Sequence, residues 1–413
     1  MNPFGHRRCL KRRTWRLMML LVLVSAGWAS GSSVEPKTDL SDESKLVLKR
    51  LKDRSQESAG DILFFSESER RLAFANISDL YPTRLVPGSS HPYALVDNLM
   101  DWSELEYEVD GQSYDLQYFY ALPGNMGIVV VQDDAVLLER YAPGHHPETR
   151  WISFSVTKSV TSMLIGAAIK DGYISSVDEP IADYLPRLKQ SPYAEVSIKN
   201  VLQMASGVAW NEDYADPESD VARAGGANGL ALVNYLGKLP KVADAGQVFN
   251  YNTGETNLAG ELLRAAIGNN ASTYLAHKIW KPFGMAGDAT WMLGDPGGGE
   301  TGGCCISATL RDYARLGIFA LNQGRLVDGT EVLPENWIVE STEPSKGYAG
   351  YGYLWWLMDE NSFSAMGIFG QQIFIDRQSR LIIAAHSNAP TAVGSGYAKH
   401  LRAVSVAISD RLK

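Results

Sequence analysis

Strand-forming sequence stands at the two ends of the globular part of this chain, and helix-forming sequence fills the space between. Met126 to Val131 and Ala135 to Tyr141 are apolar runs separated only by Gln132-Asp133-Asp134, which is a hairpin pattern. Tyr353 to Leu357, Gln372 to Asp376 and Leu381 to His386 carry the strand signature again far downstream. From Ser155 the period becomes helical. Val156, Val160, Met163, Leu164 and Ala167 fall on one face, and Gly172 closes the segment. Ile198 to Met204, Asn228 to Leu236, Asn257 to Ile267, Thr273 to Trp280 and Leu310 to Asn322 also read as helices, and Tyr397 to Ser409 is a last one. This order predicts an α+β fold: one mainly antiparallel sheet built from both chain ends, flanked by helices, with a central helical lobe. The sheet lobe is expected over about 61–150 and 345–413, and the helical lobe over about 155–340. An alternating βαβ order with a parallel sheet fits less well.

Composition narrows the function classes. The chain has 413 residues, 45% of them hydrophobic, which excludes a disordered or low-complexity chain. Acidic residues (47) outnumber basic ones (38), and no long basic run follows residue 16, so a nucleic-acid partner is not expected. The first segment reads as an export signal. Six basic residues between Arg7 and Arg16 precede the apolar run Leu17 to Val24, and small residues favour cleavage after Ala29. Loss of those six residues takes the net charge from −9 to −15. The expectation is a periplasmic or secreted protein, with an uncleaved membrane anchor as the alternative, and two Arg pairs leave twin-arginine export open. Residues 30–60 read as a polar linker with room for a short helix, and globular sequence is expected over 61–413.

The segment Trp151 to Ser159 carries the most chemistry. Ser155 and Lys158 form S-x-x-K, and i and i+3 share a helix face, so the amine can sit beside the hydroxyl. At a helix start, exposed N–H groups favour an oxyanion. A neutral lysine can take the serine proton. Alone, the pair is better read as an N-cap serine and a surface lysine. Downstream, Tyr251-Asn252-Thr253 offers a phenol that, with a lowered pKa, shares acid/base work, and a hydroxyl that can hydrogen-bond the lysine or tyrosine head group. Met366 to Gln372 precedes a strand, and Gly367 and Gly370 allow close backbone approach to a substrate. A backbone N–H there could pair with that of Ser155. Cys304 and Cys305 are adjacent. Two small packed thiols are the favoured reading and a vicinal disulfide the alternative. His145-His146 reads as a solvated loop rather than a metal site, and no G-x-S-x-G elbow, P-loop or dinucleotide fingerprint is present. Neither a metal nor a cofactor is expected.

Together these pieces resemble the serine β-lactamase and penicillin-binding-protein superfamily. The branch that fits is the class C-like one, whose second motif is Tyr-x-Asn/Ser/Thr, and within it the 6-aminohexanoate-dimer hydrolases and related esterases. Further matching text is Asp171-Gly172-Tyr173-Ile174, Leu202 to Gly207, Pro282-Phe283-Gly284-Met285, Asp312 to Gly317 and Leu333 to Trp337. The resemblance implies a nucleophile at Ser155, a base at Lys158 and a second acid/base group at Tyr251. It implies an oxyanion hole from the amides of Ser155 and Ile368, with Gly367 and Thr253 lining the substrate. Tyr214 falls near a substrate-covering tyrosine of the amide hydrolases, though a packed loop aromatic suits it as well. One departure stands out: Gly367-Ile368-Phe369-Gly370 replaces the Lys-Thr-Gly of β-lactamases. The implied function is an exported serine hydrolase for a small ester or linear amide substrate. A β-lactamase or D-Ala-D-Ala carboxypeptidase is the enzymatic alternative, and a non-catalytic penicillin-binding-like sensor module is the alternative of another class.

Overall fold

A computed structural model of the protein describes residues 40–57 and 59–413, and the segment read as an export signal lies outside them. Thirteen strands occur among the described residues. They are β1 (Thr83–Val86), β2 (Val96–Asp97), β3 (Glu106–Val109), β4 (Gln112–Asp115), β5 (Asn125–Gln132), β6 (Ala135–Tyr141), β7 (Trp151–Ile152), β8 (Ala289–Met292), β9 (Ile306–Ala308), β10 (Trp356–Leu357), β11 (Ser362–Met366), β12 (Gln372–Asp376) and β13 (Leu381–Ser387).

The main sheet has seven strands in the order β10-β11-β12-β13-β5-β6-β2. Every neighbouring pair is antiparallel except β2 with β6. Its centre is the pairing of β5 with β13, with Val130 opposite Ile383. Ile128 to Val131 and Leu381 to Ala385 are wholly buried, because helices cover both faces of these strands. That explains their continuous rather than alternating apolar pattern. The helix Leu310–Leu321 packs on β5, β12 and β13. The C-terminal helix Gly396–Leu412 is tied to β12 through Gln372 to Ser405, 3.1 Å, and Ser409 to Asp376. This is the α+β architecture read from the sequence, with both chain ends in one sheet.

A second sheet, ordered β1-β8-β9-β7, has no counterpart in that reading. Its strands are two to four residues long, too short for a period to emerge. Yet it positions the site. Trp151 and Ile152 pair with Ala308 and Ser307, which lays residues 151–155 beside residues 302–306. Two helices also differ from expectation. One spans Thr253–Ile267, beginning four residues before Asn257, because the Asn252 side chain accepts from the Glu255 N–H, 2.9 Å, and caps it. Beyond Ala271–Leu275 the next continues as π-helix to Trp280. Within the stretch read as linker, Asp42–Glu57 is helical with Leu48 and Leu51 buried, and it packs on the helix Glu67–Ala73. Among the described residues no helix is long and apolar enough to cross a membrane.

Because Ile383 sits on the central strand with no exposed surface, Ile383→Ala should cost about 2–5 kcal/mol in urea unfolding. A loss below about 1 kcal/mol would contradict the core placement.

Candidate active site

The chain leaves β7 and turns sharply into the helix Val156–Lys170. Phe154 makes the turn at φ +44°, a left-handed conformation costing a non-glycine residue about 1–2 kcal/mol. Its surroundings over-determine it. The Phe154 ring lies 5.0 Å from that of Phe74 and 5.5 Å from that of Phe369. Ser153 donates its N–H to Ile306 O at 2.8 Å, and its hydroxyl meets that of Thr157 at 2.6 Å. Ser155 therefore stands at the helix N-cap with its hydroxyl uncommitted to capping.

Lys158, one turn on, is 1% exposed. Its Nζ donates to Thr253 Oγ1 at 3.0 Å and to Gly303 O at 2.8 Å. A Cβ on Gly303 would lie 3.0 Å from that Nζ, so the glycine makes room for the amine. Burial pushes the Lys158 pKa down to about 8, against the opposing charge of Glu212. Tyr251 presents its ring 5.3 Å from the same Nζ and stacks on Trp356 at 5.6 Å. Burial, then the Glu212 charge, push the Tyr251 pKa well above its ordinary value, and a hydrogen bond with Ser155 offsets only part of this. The lowered phenol pKa expected from the sequence is thus overturned: the ring sits in a desolvated aromatic cluster beside a carboxylate.

Glu212 organises this side of the pocket. It accepts from the Tyr214 hydroxyl at 2.6 Å, the Thr253 N–H at 3.0 Å, the Thr253 hydroxyl and the Trp210 indole N–H. Tyr214 is therefore held to Glu212. Sequence reasoning passed over this carboxylate, although Trp210 and Tyr214 flank it at two residues either side, a spacing that lets both donors fold back onto it.

The loop Gly367–Gly370 closes the other side. A Cβ on Gly367 would meet Ser153 O at 2.4 Å, so only glycine lets this loop lie against the serine turn. Phe369, at φ +63°, sends its ring to Phe154, and the Arg70 guanidinium lies 4.5 Å from that ring. Arg70 is buried and donates to Asn388 Oδ1 at 2.9 Å and Phe65 O at 2.8 Å. Among the described residues, the amides of Ser155 and Ile368 meet no backbone acceptor.

Two expectations fail near the site. Cys304 and Cys305 are joined as a vicinal disulfide rather than packed as thiols, in a segment whose flanking amides are held in place by Thr157. His145 is 4% exposed, not solvated: its Nε2 lies 3.0 Å from His386 Nδ1, and burial pushes its pKa down to about 4. Among the described residues no group of His, Cys, Asp or Glu could hold a metal.

A serine at a helix start with a desolvated amine one turn away fits one class of protein, a serine hydrolase. A family model described as beta-lactamase matches residues 120–407. The chain belongs to the β-lactamase family. A 6-aminohexanoate-dimer hydrolase of Paenarthrobacter ureafaciens is 26% identical over 350 residues, covering 78% of this chain and 86% of the relative. A Bacillus anthracis structure described as a 6-aminohexanoate-dimer hydrolase shares the fold at TM-score 0.72 and 20% identity, over 83% of this chain and 93% of that one. A family VIII carboxylesterase does so at TM-score 0.53 and 16% identity, over 72% and 96%.

Glu212→Gln tests the carboxylate. Loss of its charge removes what holds the Lys158 pKa up, so that pKa should fall below about 8 in an NMR titration of labelled lysine. Stranded donors should cost about 1–3 kcal/mol of stability. A Lys158 pKa that stays or rises would contradict the geometry.

Proposed function

We propose that the protein is an exported serine hydrolase that cleaves ester or linear amide bonds through an acyl-enzyme on Ser155. The observation that carries this reading is the state of Lys158. A neutral amine has two N–H donors, and two acceptors meet it, Thr253 Oγ1 and Gly303 O. Its lone pair is left for a proton. With a pKa of about 8, roughly a tenth of the amine is neutral at pH 7, against well under a thousandth for an ordinary lysine. Lys158 is then the base for the Ser155 proton, with the Tyr251 hydroxyl hydrogen-bonded to Ser155 beside it.

Tyr251, kept protonated by burial, donates its proton to the departing alcohol or amine while the lysine restores it. The Ser155 and Ile368 amides stabilise the tetrahedral oxyanion. Water then attacks the acyl-enzyme by the reverse proton path. Tyr214 and Gly367 border the substrate, the first held by Glu212 and the second by its contact with the serine turn. The named amide- and ester-cleaving relatives support this substrate class. So does Gly367-Ile368-Phe369-Gly370, which provides no lysine for a β-lactam carboxylate. Export rests on the basic and apolar leader of residues 1–29.

A fluorophosphonate probe followed by intact-mass analysis should label the wild type once, and Ser155→Ala not at all while its circular dichroism is unchanged. Labelling elsewhere would remove Ser155 from the mechanism. p-Nitrophenyl butyrate should be cleaved with a higher kcat/KM than nitrocefin, and the opposite order would make the protein a β-lactamase.

The pH profile has a worked sign. Lys158 acts when deprotonated, so kcat/KM should rise as pH climbs through about 8 and level off above it. A profile flat from pH 6 to 9 would exclude Lys158 as the base. Tyr251→Phe should harm amide cleavage about 10²–10⁴-fold and activated esters less, because p-nitrophenolate departs without a proton. Equal losses on both substrates would exclude Tyr251 as the leaving-group acid.

A further inference from the structure

The segment Thr301–Ile306 grips the Ser155 helix through its backbone. Gly302 O accepts from the Thr161 hydroxyl at 2.6 Å, and Gly303 O from Lys158 Nζ at 2.8 Å. The amides of Cys305 and Ile306 donate to Thr157 Oγ1 at 2.9 and 3.0 Å. On its far side, Gly303 N donates to Asn257 Oδ1 at 2.8 Å, and Cys304 O accepts from the Trp291 indole at 3.0 Å. Three polar residues of the Ser155 helix, Thr157, Lys158 and Thr161, thus bond to a segment that contains the linked pair Cys304–Cys305.

Cys305 stands at φ +90°, a region that side-chain-bearing residues adopt only under constraint. The disulfide supplies one such constraint, since it closes a small ring through the peptide bond joining the two residues. Cys305 is buried and Cys304 half-buried, so Cys304 is the more accessible of the two to an approaching thiol.

We propose that Cys304–Cys305 is a redox-modification site that positions the Lys158 amine, oxidised in the active form and released by reduction. The proposal rests on the acyl-enzyme reading for what it regulates. The reductant is a dithiol. Its thiolate attacks Cys304 Sγ, and the S–S bond breaks with Cys305 leaving as thiolate. The second thiol of the reductant then displaces Cys304 from the mixed disulfide. The reductant departs as its own disulfide, and the protein holds two thiols, having gained two electrons and two protons. Cys305, no longer in a ring, relaxes to a negative φ. The peptide between the cysteines rotates, the amides of Cys305 and Ile306 leave Thr157, and Gly303 O withdraws from Lys158. Water reaches the amine, which regains its preference for the charged form.

The test compares the full chain as oxidised and after dithiothreitol, with the reagent removed. Iodoacetamide should add two more groups to the reduced protein than to the oxidised one, both on Cys304 and Cys305 by peptide mass. An NMR titration of labelled lysine should place the Lys158 pKa higher in the reduced protein. A rise of one unit lowers kcat/KM for p-nitrophenyl butyrate near pH 7 by about tenfold. Diamide should restore both. Cys305→Gly separates conformation from sulfur chemistry, because glycine admits φ +90° without strain or a ring. Its Lys158 pKa should be the same before and after dithiothreitol. Cys305→Ser should match the reduced protein.

No extra label on reduction would overturn the proposal, as would an unchanged Lys158 pKa, or Cys305→Ser with the oxidised pKa. The lysine titration needs no turnover, so a protein that hydrolyses nothing still decides this question separately from that of the reaction.

Discussion

A lysine amine buried away from water is the constraint around which this site is built. Burying an ammonium without compensation is costly, and the group lowers its pKa instead. Lys158 can do so only because two acceptors, Thr253 Oγ1 and Gly303 O, satisfy its neutral form. Each acceptor is itself held. Glu212 fixes Thr253 through both its hydroxyl and its N–H, and Asn257 fixes Gly303 through its amide. The helix that carries Lys158 is buried from Val156 to Ala168, so the polar groups of its first turns have no solvent to fall back on. Their partners must come from the protein: Lys158 meets Thr253 and Gly303, Thr157 meets Ser153, Cys305 and Ile306, Ser159 meets Leu354, and Thr161 meets Gly302.

The second constraint is conformational. Phe154 and Phe369, both at positive φ, sit next to Ser155 and Ile368 in the chain, and their rings meet. Left-handed backbone at a non-glycine residue persists only where packing outweighs its cost. Phe74 lies 5.0 Å from Phe154 and 5.5 Å from Phe369, so one ring braces both turns. Arg70, on the short helix Glu67–Ala73 that Phe74 caps, packs its guanidinium on the Phe369 ring. The N-terminal helices thus contribute to the geometry of the site without contributing a reacting group.

Membership of the β-lactamase family sets the reaction type, and the residues around the serine set what this member can accept. The loop at 367–370 has no cation, and the wall beside Tyr251 is aromatic: Phe249, Tyr351 and Trp356 all pack on its ring.

Local periodicity made the main sheet legible. The apolar runs of β5, β6, β12 and β13 are long enough to announce themselves, and their placement at opposite ends of the chain implied a sheet closed between them. S-x-x-K at a helix start was legible too, because i, i+3 geometry is a property of the helix alone. What the sequence could not hold was anything set by contacts between distant segments. β7 and β9 are two and three residues long and exist because they pair with each other. Tyr251 carries a raised pKa first because the folded cluster desolvates it and then because the charge of Glu212, 39 positions earlier, stands nearby. His145 looks like a loop residue until His386, 241 positions later, meets it in the core. Residue identity and spacing determine which groups the chain can bring to bear. Burial and long-range hydrogen bonds decide their charge and orientation, and those arise only when the two ends of the chain close on the middle.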